Sequence, residues 1–164
     1  MKTIGVVTLL LTGLLLITAA SVEAQLAKSG TYTSHFGYHY VTKASEIDKD
    51  HVFITGEVVG TNLNEAGRGF LHATAVVCQL VNDSVKGSAS AHGYCTATDA
   101  DGDKAFSAWK CKSQPGARCE GDFLWIGGTG KYTGIKGNNT FHAGPVPKTA
   151  SGYAVWKGEW QLPQ

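Results

Sequence analysis

The run GGTGKYTGIKG, from Gly127 to Gly137, constrains what this chain can fold into more than any other stretch: five of its eleven residues are glycine. It follows the apolar run Phe123-Leu124-Trp125-Ile126 and precedes a second strand-like stretch, Asn138–Ala143. Glycine lacks a Cβ and so tolerates φ > 0 and close backbone approach. A sheet that turns a corner at a barrel rim needs that freedom. The run therefore points to a curved, closed β structure. It names no reaction.

The N-terminus reads as a secretory signal. Lys2 forms a short basic region, Ile4–Ala20 is almost unbroken apolar and small residues, and Val22 and Ala24 stand at −3 and −1 of a small-residue cleavage site before Gln25. The alternative is a retained membrane anchor, for which the segment is slightly short. No cysteine follows the apolar run, which argues against a lipid-anchored protein. Cleavage leaves residues 25–164, one domain with one core. The chain carries 14 Lys and Arg against 13 Asp and Glu, a net charge of +1. Loss of Lys2 and Glu23 leaves that balance unchanged. No basic excess is present to attract nucleic acid or an anionic membrane surface.

All four cysteines, Cys78, Cys95, Cys111 and Cys119, fall in the mature part. An even count in an exported chain reads as two disulfides, with three connectivities open. Locality favours Cys111–Cys119, closed over a Pro115-Gly116 turn, and Cys78–Cys95 across neighbouring strands. No C-x-x-C spacing supports zinc. The expected location is secreted or periplasmic.

Short runs rich in Thr, Val, Tyr, Phe and Trp, separated by Gly, Asp, Asn and Pro, predict an all-β chain. The expected strands are Thr31–Thr42, His51–Thr61, Gly69–Val81, Ser88–Thr98, Lys104–Lys112, Gly121–Ile126, Gly137–Ala143 and Gly152–Leu162. Eight such strands suit a closed antiparallel barrel, which leaves no sheet edge. Asp99-Ala100-Asp101-Gly102-Asp103 reads as a hairpin turn, and the polar stretch Ala44–Asp50 as a single helical turn. In the last strand, Trp156 and Trp160 share a face that must be buried.

The apolar strand, the GGTGKYTGIKG run and the strand after it together resemble the allene oxide cyclase and dirigent barrel superfamily, whose members carry a similar GGTG-x-[YF]-x-G-x-x-G element late in the chain. The resemblance spans roughly Phe123–Phe141 and the eight-strand rhythm. It implies a cofactor-free barrel whose lumen takes an apolar or phenolic small molecule, with the glycine element as a structural corner at one barrel end. No catalytic residue carries over, because the rest of the chain does not match the family's site motifs. The disulfides and the Asp-rich hairpin are departures from it.

The residues offer few chemical constellations. Gly130-Lys131 lacks the first glycine and the Ser/Thr of a phosphate loop, and Asp99, Asp101 and Asp103 lack the glycine and glutamate spacing of a calcium loop, leaving a solvated hairpin tip. Of the six histidines, His35 and His39 share a strand face about 13 Å apart, too far to hold one metal; no metal site is expected. Glu57 lies within the apolar run Phe53–Val59. If its face, with Phe53, Thr55 and Val59, lines the lumen, Glu57 is a desolvated carboxylate suited to general-base work. His72, Thr74 and Thr96 would then line a ligand pocket, with Tyr94 as the acid partner. The opposite register puts Ile54 and Val58 inside and Glu57 outside. The aromatic residues Tyr32, Phe36, Tyr38, Tyr40, Trp109, Trp125, Trp156 and Trp160 serve either as barrel wall or as a stacking surface. Asn82-Asp83-Ser84 and Asn138-Asn139-Thr140 match a glycosylation sequon.

Three functions fit: a barrel that binds an apolar or aromatic small molecule, a cofactor-free isomerase or cyclase using Glu57 and Tyr94, and a structural cell-envelope protein with a filled lumen. A cavity of ~300 Å³ or more would separate the first two from the third.

Overall fold

Alternating apolar and polar residues give a strand one face for a core and one for water, and successive antiparallel strands joined by short turns bury that face by closing on themselves. A computed structural model describes residues 26–164, so the signal-like segment lies outside the described residues. The strands are β1 (Ser29–Asp48), β2 (His51–Asn64), β3 (Thr74–Val85), β4 (Ser88–Thr98), β5 (Lys104–Ser113), β6 (Cys119–Gly128), β7 (Asn138–Pro145) and β8 (Ser151–Gln161). They form a closed barrel in sequence order, every neighbouring pair antiparallel, with β1 returning to pair with β8. The expected eight-stranded barrel is therefore present.

Two expectations are corrected. Ala44–Asp48 is strand, not a helical turn: it pairs with Val52–Ile54 and His51 of β2, and the chain reverses at Lys49-Asp50. Gly69–Ala73 is not strand. It is a turn in which Leu71 and Ala73 hold positive φ angles of 49° and 54°. This conformation is costly for residues with a Cβ, and two buried side chains of β2 hold it in place. The Asn62 amide donates to the Leu71 carbonyl at 2.8 Å and the Asn64 amide to the Phe70 carbonyl at 2.9 Å. The turn thereby drives Phe70 and Leu71 into the barrel, where the Phe70 ring stacks on Trp160 at 4.2 Å.

The GGTGKYTGIKG run plugs the same end. After β6 it makes one 3-10 turn, Gly130–Tyr132, and delivers Tyr132 and Ile135 into the interior, 2% and 1% exposed. At Gly137, φ is 153° and a Cβ would overlap the Glu159 carbonyl oxygen. At Gly130, φ is 51° and a Cβ would overlap the Asp103 carboxylate. Glycine is required at both positions.

The β4–β5 hairpin anchors this plug. Asp99 Oδ1 accepts the Asp101 and Asp103 backbone N–H groups at 2.9 and 3.1 Å, and Asp103 Oδ2 accepts the Lys131 N–H at 3.1 Å. The Lys131 ammonium pairs with Asp99 at 2.9 Å and also with Asp101. The aspartates that sequence alone leaves as a solvated tip instead gather a lysine from the glycine run. Burial pushes the Asp99 carboxyl up, but Lys131, Tyr132 and the Asp101 N–H outweigh it and hold it below the usual range. Both disulfides expected from locality are present: Cys78–Cys95, on directly paired residues of β3 and β4, and Cys111–Cys119, closing the β5–β6 connection.

A carboxyl depressed on folding stabilises the fold fully above its unfolded value, about pH 4, and that contribution disappears as pH falls through the folded value. Lys131→Met should therefore lower stability at pH 7 and make its decline between about pH 5 and pH 2 shallower than in the native protein, as read by thermal melts. Equal slopes would show that the lysine does not hold this loop. Replacing Cys111 and Cys119 with serine should cost about 2–3 kcal/mol in denaturant unfolding, and the Cys78/Cys95 pair slightly more because it closes the longer loop. No loss in either variant would contradict the cross-links.

Candidate functional site

One end of the barrel is plugged; the other is open. The open end is ringed by the β1–β2, β3–β4, β5–β6 and β7–β8 connections, and below it lies a cavity of about 370 Å³. Its floor is Phe36, Val58, Phe123 and Trp156, the layer above the plug, and both disulfides lie in its wall. The chain makes this space by pairing large rings with glycine. Tyr38 faces Gly152 and Trp109 faces Gly93 across their strand pairs. The Tyr38 ring occupies the place of the missing Gly152 Cβ, whereas a Cβ at Gly93 would overlap the Gln79 carbonyl oxygen and stand 3.1 Å from the Trp109 ring. The rings therefore lie toward the wall and leave the centre open.

The lining contains no Asp, Glu, His, Lys or Arg. Its only acidic hydroxyls are those of Tyr38 and Tyr40, 3.3 Å apart. Burial, then the Tyr40 hydroxyl, pushes the Tyr38 pKa far above its usual value, so that phenol stays neutral. Two polar atoms at this end have no partner: Asn82 Oδ1 and Trp109 Nε1. Both residues line the cavity. The surface is mainly aromatic and aliphatic, with a few convergent polar groups, the usual make-up of a small-molecule pocket. It offers shape and hydrogen bonds, and no charged acid–base pair.

The structure corrects the proposed enzymatic face. In β2 the even-numbered residues point inward, so Ile54 and Val58 line the cavity and Glu57 lies on the outer wall, where its carboxylate accepts the Gln79 amide at 2.8 Å. Tyr94 is 62% exposed on the same outer wall. Register places Glu57, Gln79 and Tyr94 in one row across β2, β3 and β4, so the two are neighbours across Gln79, but in solvent. Thr96 also faces outward, between the buried Cys95 and Ala97. Thr74 does point inward, but at the plugged end, where its hydroxyl donates to the Leu71 carbonyl at 3.3 Å. His72 belongs to the plug turn and its Nδ1 donates to the Asn64 carbonyl at 3.2 Å. Glu57, Tyr94, His72, Thr74 and Thr96 do not meet in the lumen. None of the six histidines lines the cavity: His35 pairs with Glu65 at 2.8 Å and His51 with Asp83 at 2.6 Å on the exterior.

Among the aromatics, the sequence distinguishes wall from plug only in retrospect. Tyr32, Trp125 and Trp160 fill the closed half, while Tyr38, Tyr40 and Trp109 line the open half. Asn82, read as part of a sequon, turns its side chain to the cavity, whereas Asn138 is exposed. A usable signal was present in β1: Tyr32, Phe36, Tyr38 and Tyr40 all occupy even positions, which fixes that strand's inner face.

No protein-family model matches this chain, and no curated protein matches it. Among solved structures it is similar to the pterocarpan synthase dirigent protein, with 10% sequence identity over 85% of this chain and 89% of that one, and a TM-score of 0.52. At that identity the likeness is one of fold alone. The chain folds as a dirigent-like eight-stranded barrel, plugged at one end and open at the other.

Proposed function

We propose that this protein is an exported barrel that holds an apolar or aromatic small molecule in its lumen. The observation that carries the reading is the 370 Å³ cavity: eight strands form a ring narrow enough to be packed solid, and here only half is packed. The size exceeds what a filled structural barrel would leave, and the aromatic lining matches a ligand of that kind. The two disulfides favour an oxidising compartment, in keeping with the signal-like residues 1–24. The dirigent neighbour is described as a pterocarpan synthase, and an aromatic guest in a barrel of this fold agrees with that by analogy. A cyclase or isomerase role built on Glu57 and Tyr94 has no support from their position on the outer wall.

The test uses N-phenyl-1-naphthylamine, a neutral aromatic dye that brightens in apolar surroundings. The protein should take it up saturably at one site, and the complex should melt several degrees higher at saturating dye, since a ligand at 100 times Kd adds about 2.7 kcal/mol to stability. Ala91→Phe fills the cavity from β4 and should weaken dye binding at least tenfold while costing about 1–3 kcal/mol of stability. Absence of saturable binding, or unchanged binding in Ala91→Phe, would contradict the reading.

A further inference from the structure

We infer that the open half of the lumen selects an uncharged ligand bearing one polar end that both donates and accepts a hydrogen bond, an alcohol or a carboxamide, and that Asn82 and Trp109 read that end. The inference rests on the lumen-binding proposal above and narrows it.

The argument begins with unpaired polar atoms. A buried donor or acceptor without a partner costs free energy, so native proteins rarely leave one. Of the six such atoms among the described residues, Ser34 Oγ, Asn62 Oδ1 and Trp125 Nε1 lie in the packed half, and the two at the open end share one cavity wall. Trp109 Nε1 can only donate, and Asn82 Oδ1 can only accept; neither has a partner. The strands bring them together. Asn82 stands on β3 opposite Ala91 of β4, and Ala91 faces Cys111 of β5. One inward position deeper, Trp109 faces Gly93, whose missing Cβ lets the indole lie toward β4, the strand that separates it from Asn82. Ala91 and Gly93 are the smallest residues available, so nothing on β4 screens one polar group from the other. Apolar side chains stand beside them: Ile54 pairs with Asn82, Leu80 pairs with Gly93, and the Phe141 ring meets the Trp109 ring edge-on.

A ligand hydroxyl satisfies both demands at once: its O–H donates to the Asn82 amide oxygen and its oxygen accepts from the Trp109 N–H. A primary carboxamide does the same with two atoms. A carboxylate would meet an acceptor with no cation in the lining to neutralise it, and an ammonium would lack an anion. The neutral Tyr38 phenol keeps the cavity uncharged near neutral pH.

The test compares three probes of one shape: 2-naphthalenemethanol, 2-methylnaphthalene and 2-naphthoate, each titrated against tryptophan fluorescence. The native protein should prefer the alcohol to the hydrocarbon about tenfold, as two hydrogen bonds formed out of water allow, and should bind the carboxylate more weakly than either. Asn82→Leu and Trp109→Phe, which keep bulk and remove one polar atom each, should each move the alcohol-to-hydrocarbon ratio of Kd values toward one. Using both variants keeps the test sound if one of them folds poorly. Equal binding of alcohol and hydrocarbon in the native protein, or a preference retained in both variants, would overturn this inference and leave lumen binding standing. Tightest binding of the carboxylate would overturn it as well. If none of the three probes binds, the lumen-binding proposal falls, and this inference with it.

Discussion

An eight-stranded ring is too narrow to hold several large rings unless the wall opposite each gives way, and in this barrel it gives way at glycine. Trp160 lies over Gly30, Tyr38 over Gly152 and Trp109 over Gly93, each pair in direct register on neighbouring strands. The exchange works in two directions. A glycine in a strand gives up side-chain packing and conformational entropy, and the ring opposite covers the bared backbone while burying its own apolar surface, worth about 1.5–3 kcal/mol per large side chain. At the closed end, the released space is refilled by loop residues, and Phe70 stacks on Trp160. At the open end nothing refills it, and the same device leaves a cavity.

The two ends thus differ in their connections, not in their strands. The β2–β3 turn and the glycine run between β6 and β7 both fold inward, each fixed by side chains from elsewhere: Asn62 and Asn64 for the first, Asp103 and Lys131 for the second. At the other end the β1–β2 and β3–β4 connections are two-residue turns and the β5–β6 and β7–β8 connections are five residues long, and all four stay at the rim. One of them is cross-linked by Cys111–Cys119, both in the cavity wall. A barrel with a built floor and a fixed rim is a rigid vessel, and rigidity suits binding by shape because little order has to be imposed on the protein when a guest enters.

Much of this was legible in the sequence. The glycine run pointed to the barrel, turn chemistry placed most strand ends within a few residues, and short separations gave both disulfides. Trp156 and Trp160 fixed the inner face of β8. The inner face of β2 was not legible, because that strand carries apolar residues on both sides: Phe53 and Val59 outside, Ile54 and Val58 inside. Alternation cannot choose between two such faces; only the register with Tyr40 and Cys78 does. The lumen-facing register would have brought Tyr94 and Thr96 inside with Glu57; the structure has the opposite one. Ala44–Asp48 failed for a related reason. Its residues are polar and charged, and it is strand only because β2 continues beside it, a long-range pairing that local composition does not encode.

The outer wall retains some apolar surface, with Val59 beside Val77 and Tyr94 in the same row as Leu124 across Ala108. A dye could stick there as well as inside, so the decisive measurement is one of place. Intermolecular nuclear Overhauser effects from bound N-phenyl-1-naphthylamine to the methyl groups of the protein report it directly. Contacts to Ile54, Val58 and Leu80 are predicted, because these line the open half of the lumen. Contacts confined to Val59, Val77 and Leu124 would put the guest on the outside and contradict the account.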